Sequence, residues 1–181
     1  MTPPNNQLAL VLTKARLVEL LLLDVDGVLT DGGLVYTAQG EQTKVFNTLD
    51  GHGIKLLQQA GVAVAIISGR DNPALHKRMA DLGITHVYAG VHDKKIAAQQ
   101  LLSQLGLTWS QVAAMGDDWP DLPMLMPAAV AFAPPQAHPE VVSRVDWVTK
   151  QASGLGAVRE VCDMVLQARG VYDQALQQAM K

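Results

Sequence analysis

The sequence predicts an α/β fold: a Rossmann-like parallel sheet with helices on both faces, a β-hairpin flap after the first strand, and no cap domain. Three observations predict it. Leu20 to Leu23, Val62 to Ile67 and Val112 to Met115 are apolar throughout. Strands buried on both faces read this way, whereas a strand with one wet face alternates. Helix-length segments separate these runs, so strand and helix take turns along the chain. The runs also end in carboxylates, a hydroxyl and glycines, and open α/β sheets bind ligands at the carboxyl ends of their strands.

Residues 5–17 can form a short amphipathic helix that leads into the first strand. That strand, Leu20 to Leu23, stops at Asp24-Val25-Asp26-Gly27. Strand alternation points Asp24 and Asp26 the same way, about 6–7 Å apart. Leu34 to Thr37, then Thr43, Val45 and Phe46, flank Ala38-Gln39-Gly40-Glu41 and read as a hairpin. Asp50-Gly51-His52-Gly53 starts a helix with Ile54, Leu56 and Leu57, closed by Gly61. Val62 to Ile67 is a second strand, ending in Ser68-Gly69-Arg70. A helix runs from Pro73 to Leu82, with proline in its first turn and Gly83 as its stop.

Ile84 to Tyr88 is a third strand. His92-Asp93-Lys94-Lys95 opens a helix to Leu105, capped by Gly106. Val112 to Met115 ends in Gly116-Asp117-Asp118-Trp119-Pro120-Asp121. Ala128 to Ala133 is a fifth strand, Pro139 to Arg144 a short helix, Trp147 to Thr149 an edge strand, and Leu155 to Ala168 the last strong helix. Beyond Gly170 the tail, Val171 to Lys181, shows no pattern of burial.

A chain of 181 residues suits one domain, 1–181, with a core over about 16–170 and a tail over 171–181. With 49% hydrophobic and 17% charged residues, disorder is excluded. A net charge of −3 without a basic block argues against a nucleic-acid partner. The sole cysteine, Cys162, rules out an intrachain disulfide and fits a reducing compartment. Leu8 to Leu12 has its positive charges after it, the wrong order for a signal peptide. No apolar run reaches the ~20 residues of a membrane span. A cytoplasmic protein with no membrane partner is the expectation.

Asp24 and Asp26, Ser68, Lys94 and Asp117 all follow sheet strands and should converge on one edge. Carboxylates there offer oxygen ligands to Mg²⁺, which takes one or two of them together with phosphate and water. Lys94 offers a point charge for a phosphoryl oxygen, and spacing favours it over Lys95. Gly27, Gly69 and Gly116 leave room for close backbone approach. A nucleophilic carboxylate, a metal, a cation and hydrogen-bond donors are the parts of phosphoryl transfer. Asp118 and Asp121 could equally cap a helix start.

In these residues the sequence resembles the haloacid dehalogenase superfamily of phosphotransferases, whose four motifs it matches in order: Asp24-Val25-Asp26-Gly27-Val28, Ser68, Lys94, and Gly116-Asp117-Asp118 with Asp121. Further stretches are similar to the 3-deoxy-D-manno-octulosonate 8-phosphate phosphatase family: Leu29-Thr30-Asp31-Gly32, Phe46-Asn47 with Asp50-Gly51 and Gly53, Ser68-Gly69-Arg70, Ala137-His138-Pro139-Glu140, and Gly156-Ala157-Val158-Arg159-Glu160-Val161-Cys162-Asp163. The likeness covers about residues 16–170. It departs at Ser153-Gly154-Leu155-Gly156, where that family usually has Gly-Gly-Arg-Gly, so an arginine able to reach a neighbouring subunit's site is absent.

The resemblance implies a Mg²⁺-dependent sugar-acid phosphatase of lipopolysaccharide biosynthesis. It makes Asp24 the nucleophile and Asp26 the acid and base. Asp24, Asp26 (through its carbonyl) and Asp117 become the metal ligands, while Ser68 and Lys94 bind the transferring phosphoryl group. Asp118 and Asp121 orient Asp117 or Lys94. Arg70, Arg78, Asn47 and Gly69 contact substrate. Alternatives are a nine-carbon sialic-type acid 9-phosphate as substrate, a phospho-acceptor domain, and an idle regulatory subunit. No gap between motifs can hold a lid of ~50 residues. The hairpin is therefore expected to pack on copies of itself in a homotetramer, with neighbours roofing each site.

Overall fold

The computed structural model describes residues 4–38 and 40–181. Helix α1 (Pro4–Ala15) leads into β1 (Leu20–Leu23), whose four leucines are all fully buried. A hairpin follows, β2 (Val35–Thr37) and β3 (Gly40–Thr43), then α2 (Thr48–Gln59), β4 (Ala63–Ile67), α3 (Pro73–Leu82) and β5 (His86–Tyr88). The second half runs α4 (Lys94–Leu105), β6 (Val112–Met115), α5 (Leu122–Leu125), β7 (Val130–Ala133), α6 (Pro139–Val142), β8 (Trp147–Val148), α7 (Ala157–Ala168) and α8 (Tyr172–Ala179).

Six strands form one sheet in the order β5-β4-β1-β6-β7-β8, every pair parallel, while β2 and β3 pair antiparallel as a separate ribbon. The chain builds outward from β1 on one side, then returns to build the other. Thus β1 and β6 flank the topological switch point, beyond whose carboxyl ends ligands bind. Alternation along each strand feeds two cores. Leu21, Leu23, Val64, Ile66, Met115 and Phe132 pack with residues of α1, α2, α3 and α7. Leu20, Leu22, Ala65, Ile67, Val112 and Ala114 pack with those of α4, α5 and α6. Each buried leucine contributes about 1.5–3 kcal/mol relative to exposure, which fixes β1 in the centre.

The helices that follow strands have clear local starts. The Asn72 side chain accepts from the Ala74 N–H at 2.7 Å just before Pro73, and α3 stops at Gly83 in the left-handed conformation. Asp93 caps α4 by accepting from Lys95 and Ile96 N–H groups. Helix α7 begins at Gly156, which has no side chain to cap it. Buried Asp50 of α2 supplies one instead, accepting from the Arg159 N–H at 2.7 Å.

Several boundaries differ from the sequence reading by one or two residues, among them the starts of β5, β7 and α7, and three differences matter here. The second hairpin strand is Gly40–Thr43, not a run through Val45 and Phe46, and Gln39 of the expected turn lies outside the described residues. Helix α2 starts at Thr48, two residues before Asp50, because Asn47 caps it. The tail forms α8, an eight-residue helix with no buried residue, held by Val171 and Tyr172 against the core. Among the described residues, no helix is long and apolar enough to cross a membrane.

Candidate active site

Strand β1 ends at Leu23, so Asp24 is the first residue beyond it, tied back to the sheet by its N–H to the Met115 carbonyl at 3.1 Å. Asp117 stands one residue further along the neighbouring β6, after Gly116. Asp24, Asp117 and buried Asp121 each bring a carboxylate oxygen within 4.8 Å of the others. Two glycines make this density possible. A Cβ on Gly27, which has φ +87°, would lie 2.2 Å from Asp117 Oδ2, and one on Gly116 would lie 2.3 Å from Asp121 Cβ. Gly69 differs: a Cβ there would meet only the Val91 carbonyl oxygen at 3.8 Å, so close packing does not require a glycine.

Lys94, the first residue of α4, is buried and places its Nζ 2.7 Å from Asp24 Oδ1 and 2.6 Å from Asp121 Oδ1. The other Asp121 oxygen accepts the N–H groups of Asp117 and Asp118 at 2.9 and 3.2 Å. Asp121 is therefore fully engaged in holding Lys94 and the Asp117 loop. Asp118 itself is exposed.

One ammonium among three carboxylates leaves two negative charges uncompensated when all are ionised. Burial, and after it this charge imbalance, raise two of the acids. Burial, and then the charge of Asp121, push the Asp24 carboxyl up to about 6 despite Lys94. Burial, then the charges of Asp121, Asp24 and Asp118, push Asp117 up to about 7. Burial alone would lower Lys94, but Asp24 and Asp121 more than reverse that, and its ammonium is held above the ordinary range. Clustered hard oxygens with a charge deficit of two fit a divalent cation.

Asp26 has different surroundings. It lies in a tight turn in which the Val25 carbonyl accepts from Val28, Leu29 and Thr30, so strand alternation does not govern it. Its Oδ1 accepts from Lys44 Nζ at 2.5 Å, and its Oδ2 lies 3.8 Å from Arg70 Nε. Arg70 also donates to the Tyr36 hydroxyl on β2 at 3.2 Å. Ser68 follows β4, buried, and its Oγ accepts from the Arg70 N–H.

Asn47 and Arg78 sit together at the start of α2. Asn47 Oδ1 accepts from the Leu49 N–H and its Nδ2 donates to the Gly154 carbonyl. Arg78 donates to the Asn47 carbonyl and lies 5.9 Å over the Phe46 ring. Both side chains thus have roles in holding α2 and the Gly154 loop. The residue that sequence reasoning missed is Lys44. No motif marks it, and an expected strand through Val45 and Phe46 hides that the chain leaves the hairpin there.

Comparison with known proteins places this geometry. Residues 84–161 match the model of the haloacid dehalogenase-like hydrolases. The 3-deoxy-D-manno-octulosonate 8-phosphate phosphatase KdsC of Escherichia coli K12 is 44% identical over 170 residues, covering 94% of this chain and 90% of that protein. The cobalt-bound deoxy-D-mannose-octulosonate 8-phosphate phosphatase from Haemophilus influenzae superposes with a TM-score of 0.86 at 45% identity, over 88% of this chain and 93% of that one. The Moraxella catarrhalis phosphatase, solved with a magnesium ion, a phosphate ion and a KDO molecule, superposes with a TM-score of 0.91 at 35% identity, over 97% of this chain and 99% of that one. The chain belongs to the 3-deoxy-D-manno-octulosonate 8-phosphate phosphatase family of haloacid dehalogenase-like hydrolases, enzymes that cleave phosphoric monoesters.

Proposed function

We propose that this protein hydrolyses 3-deoxy-D-manno-octulosonate 8-phosphate, with Mg²⁺, through an aspartyl phosphate on Asp24. The carrying observation is Asp24 itself: a buried carboxylate at the switch point, held by Lys94 and facing Asp117. Asp24 attacks phosphorus and displaces the sugar O8. Asp26 delivers a proton to that oxygen, then takes one from the water that attacks the phosphorus of the aspartyl phosphate. Ser68 and Lys94 bind the phosphoryl oxygens. Asp121 orients Lys94 and the Asp117 loop, and Asp118 is assigned no direct contact. Asp24, the Asp26 carbonyl and Asp117 would hold Mg²⁺, which supplies positive charge against the phosphoryl group. Arg70, exposed beside Asp26, is the favoured contact for the sugar acid; Gly69, next to Ser68, leaves space for it, while Asn47 and Arg78 shape the wall behind.

The same reading makes the chain a single capless domain working in the cytoplasm as a homotetramer. Leu34, Val35 and Tyr36 of the hairpin and Val45 beyond it are exposed, and β2 and β3 pair only with each other among the described residues. Leu49 and Leu155, both exposed, line a cavity of about 550 Å³ beside the first turn of α2. Apolar exposure of this kind favours subunit contact.

A phosphate-release screen tests the substrate. The eight-carbon acid 8-phosphate should be turned over with Mg²⁺ and not after chelation. Preference for a nine-carbon acid 9-phosphate would move the assignment to that ester, and stoichiometric phosphorylation without turnover would overturn it. Light scattering should give four copies, and a fully active monomer would sink the shared roof.

A further inference from the structure

We propose that Lys44 is the positioning residue for Asp26, and that through it the hairpin holds the acid–base carboxylate in place. The inference rests on the acid–base role assigned to Asp26 above. Asp26 belongs to a turn, not to β1, so no sheet hydrogen bonding fixes its side chain. A carboxylate on a turn has several staggered rotamers open to it. Lys44 selects one with a short charge-assisted hydrogen bond, Nζ to Oδ1 at 2.5 Å.

The burial is unusual. The Lys44 side chain is 2% exposed, against 18% for Asp26. Lysine is almost never fully buried unless paired, and losing its rotamer freedom has an entropic cost. An ammonium is also a point charge, without the rigid fork of arginine. On Asp26 it engages Oδ1, while Oδ2 faces Arg70 Nε at the longer 3.8 Å. The two acids after β1 thus have separate cations: Lys94 on Asp24 and Lys44 on Asp26.

Lys44 is the first residue past β3, and Tyr36 of β2 holds Arg70 by its hydroxyl. Both cations beside Asp26 are therefore tied to the hairpin. A plain tether of the hairpin would predict the same contact but different kinetics, since it would affect every substrate alike.

The test uses the full chain with Mg²⁺ and measures single-turnover phosphorylation on two esters: the sugar-acid phosphate, whose alkoxide needs a proton to leave, and p-nitrophenyl phosphate, whose phenolate does not. Lys44→Met should lose about 10- to 100-fold on the first and only a few-fold on the second, as expected when acid catalysis is misaligned. Lys44→Arg should recover part of the loss. In an Asp26→Asn background, Lys44→Met should cost nothing further, because both changes act on one proton transfer. Equal losses on both esters, additive losses in the double variant, or an unchanged Lys44→Met enzyme would each overturn the proposal. Should Lys44→Met not fold, Lys44→Gln, which keeps a donor without the charge, is read by the same two rates. Wild type runs alongside: if it leaves the sugar-acid ester intact, the functional reading fails; if it is active and the variants match it, only the Lys44 role fails.

Discussion

The two acids that follow β1 stand two residues apart and are held in opposite ways. Asp24 is gripped by the sheet and by Lys94, in a cluster with Asp117 and Asp121 that is buried and short of positive charge. Asp26 sits on a turn, beside Lys44 and Arg70, both of which reach it from or through the hairpin. In the proposed mechanism the nucleophile and the carboxylate metal ligands have the fixed, charge-loaded setting, and the acid and base has the turn. Rigidity comes from the parallel sheet, access from an appended ribbon.

The largest test of this division is Asp24→Asn. On the proposed roles it removes the attacking charge and a metal ligand while keeping shape, so turnover should fall by about 10⁴-fold or more, with a melting temperature close to wild type. Near-wild-type phosphate release would break the assignment. Asp26→Asn should cost about 10²- to 10⁴-fold, less on p-nitrophenyl phosphate than on the sugar ester when phosphorylation is measured directly.

Lys94→Met probes the charge-loaded side through stability. It strips the cation from two buried carboxylates, and breaking such a pair costs about 3–5 kcal/mol, visible as a lower midpoint in urea. A midpoint equal to wild type would mean that the cluster is not loaded as described.

The loaded side was also the legible one. Asp24, Ser68 and Asp117 each stand within two residues of the end of a buried apolar run, and Lys94 opens a helix just after another strand. In a parallel sheet those positions are fixed by chain order. Lys44 was not legible because its place depends on where the hairpin ends, and turn geometry sets that register. Asn47 has the residue type of a helix cap, but an expected start at Asp50 obscured it. Asp50 as the cap of α7 has no local signal at all, since the two helices lie over a hundred residues apart in the chain.

The same cluster sets a pH dependence. Asp24 and Asp117 hold their protons more tightly folded than unfolded, at about 6 and about 7 against an ordinary value near 4. Between about pH 4 and 7 the folded chain binds more protons, so its stability falls as pH rises through that window. Chelated protein should melt several degrees lower at pH 8 than at pH 5, and Mg²⁺ should restore most of the difference. Asp117→Asn should flatten the slope. A chelated protein with the opposite slope would contradict the charge deficit.

The smallest effect is expected on the hairpin side, at Leu155. Its loop lies against the turn after Asp26: the Gly154 N–H donates to the Val28 carbonyl at 3.2 Å, and a Cβ on Gly154 would come within 2.7 Å of the Asp31 nitrogen. Leu155 is 63% exposed in the single chain, so Leu155→Arg disturbs no packing within it and should change the stability of the isolated chain by less than about 0.5 kcal/mol. The guanidinium would add a screened charge near an anionic substrate, worth about 0.2–1 kcal/mol. KM for the sugar-acid phosphate should therefore fall by up to about fivefold with kcat nearly constant, and the gain should fade at high salt. In the proposed tetramer the new charge acts across a subunit boundary, so the gain should also disappear on dilution to monomer. A gain that survives dilution would place Leu155 over its own site and remove one reason for a shared roof.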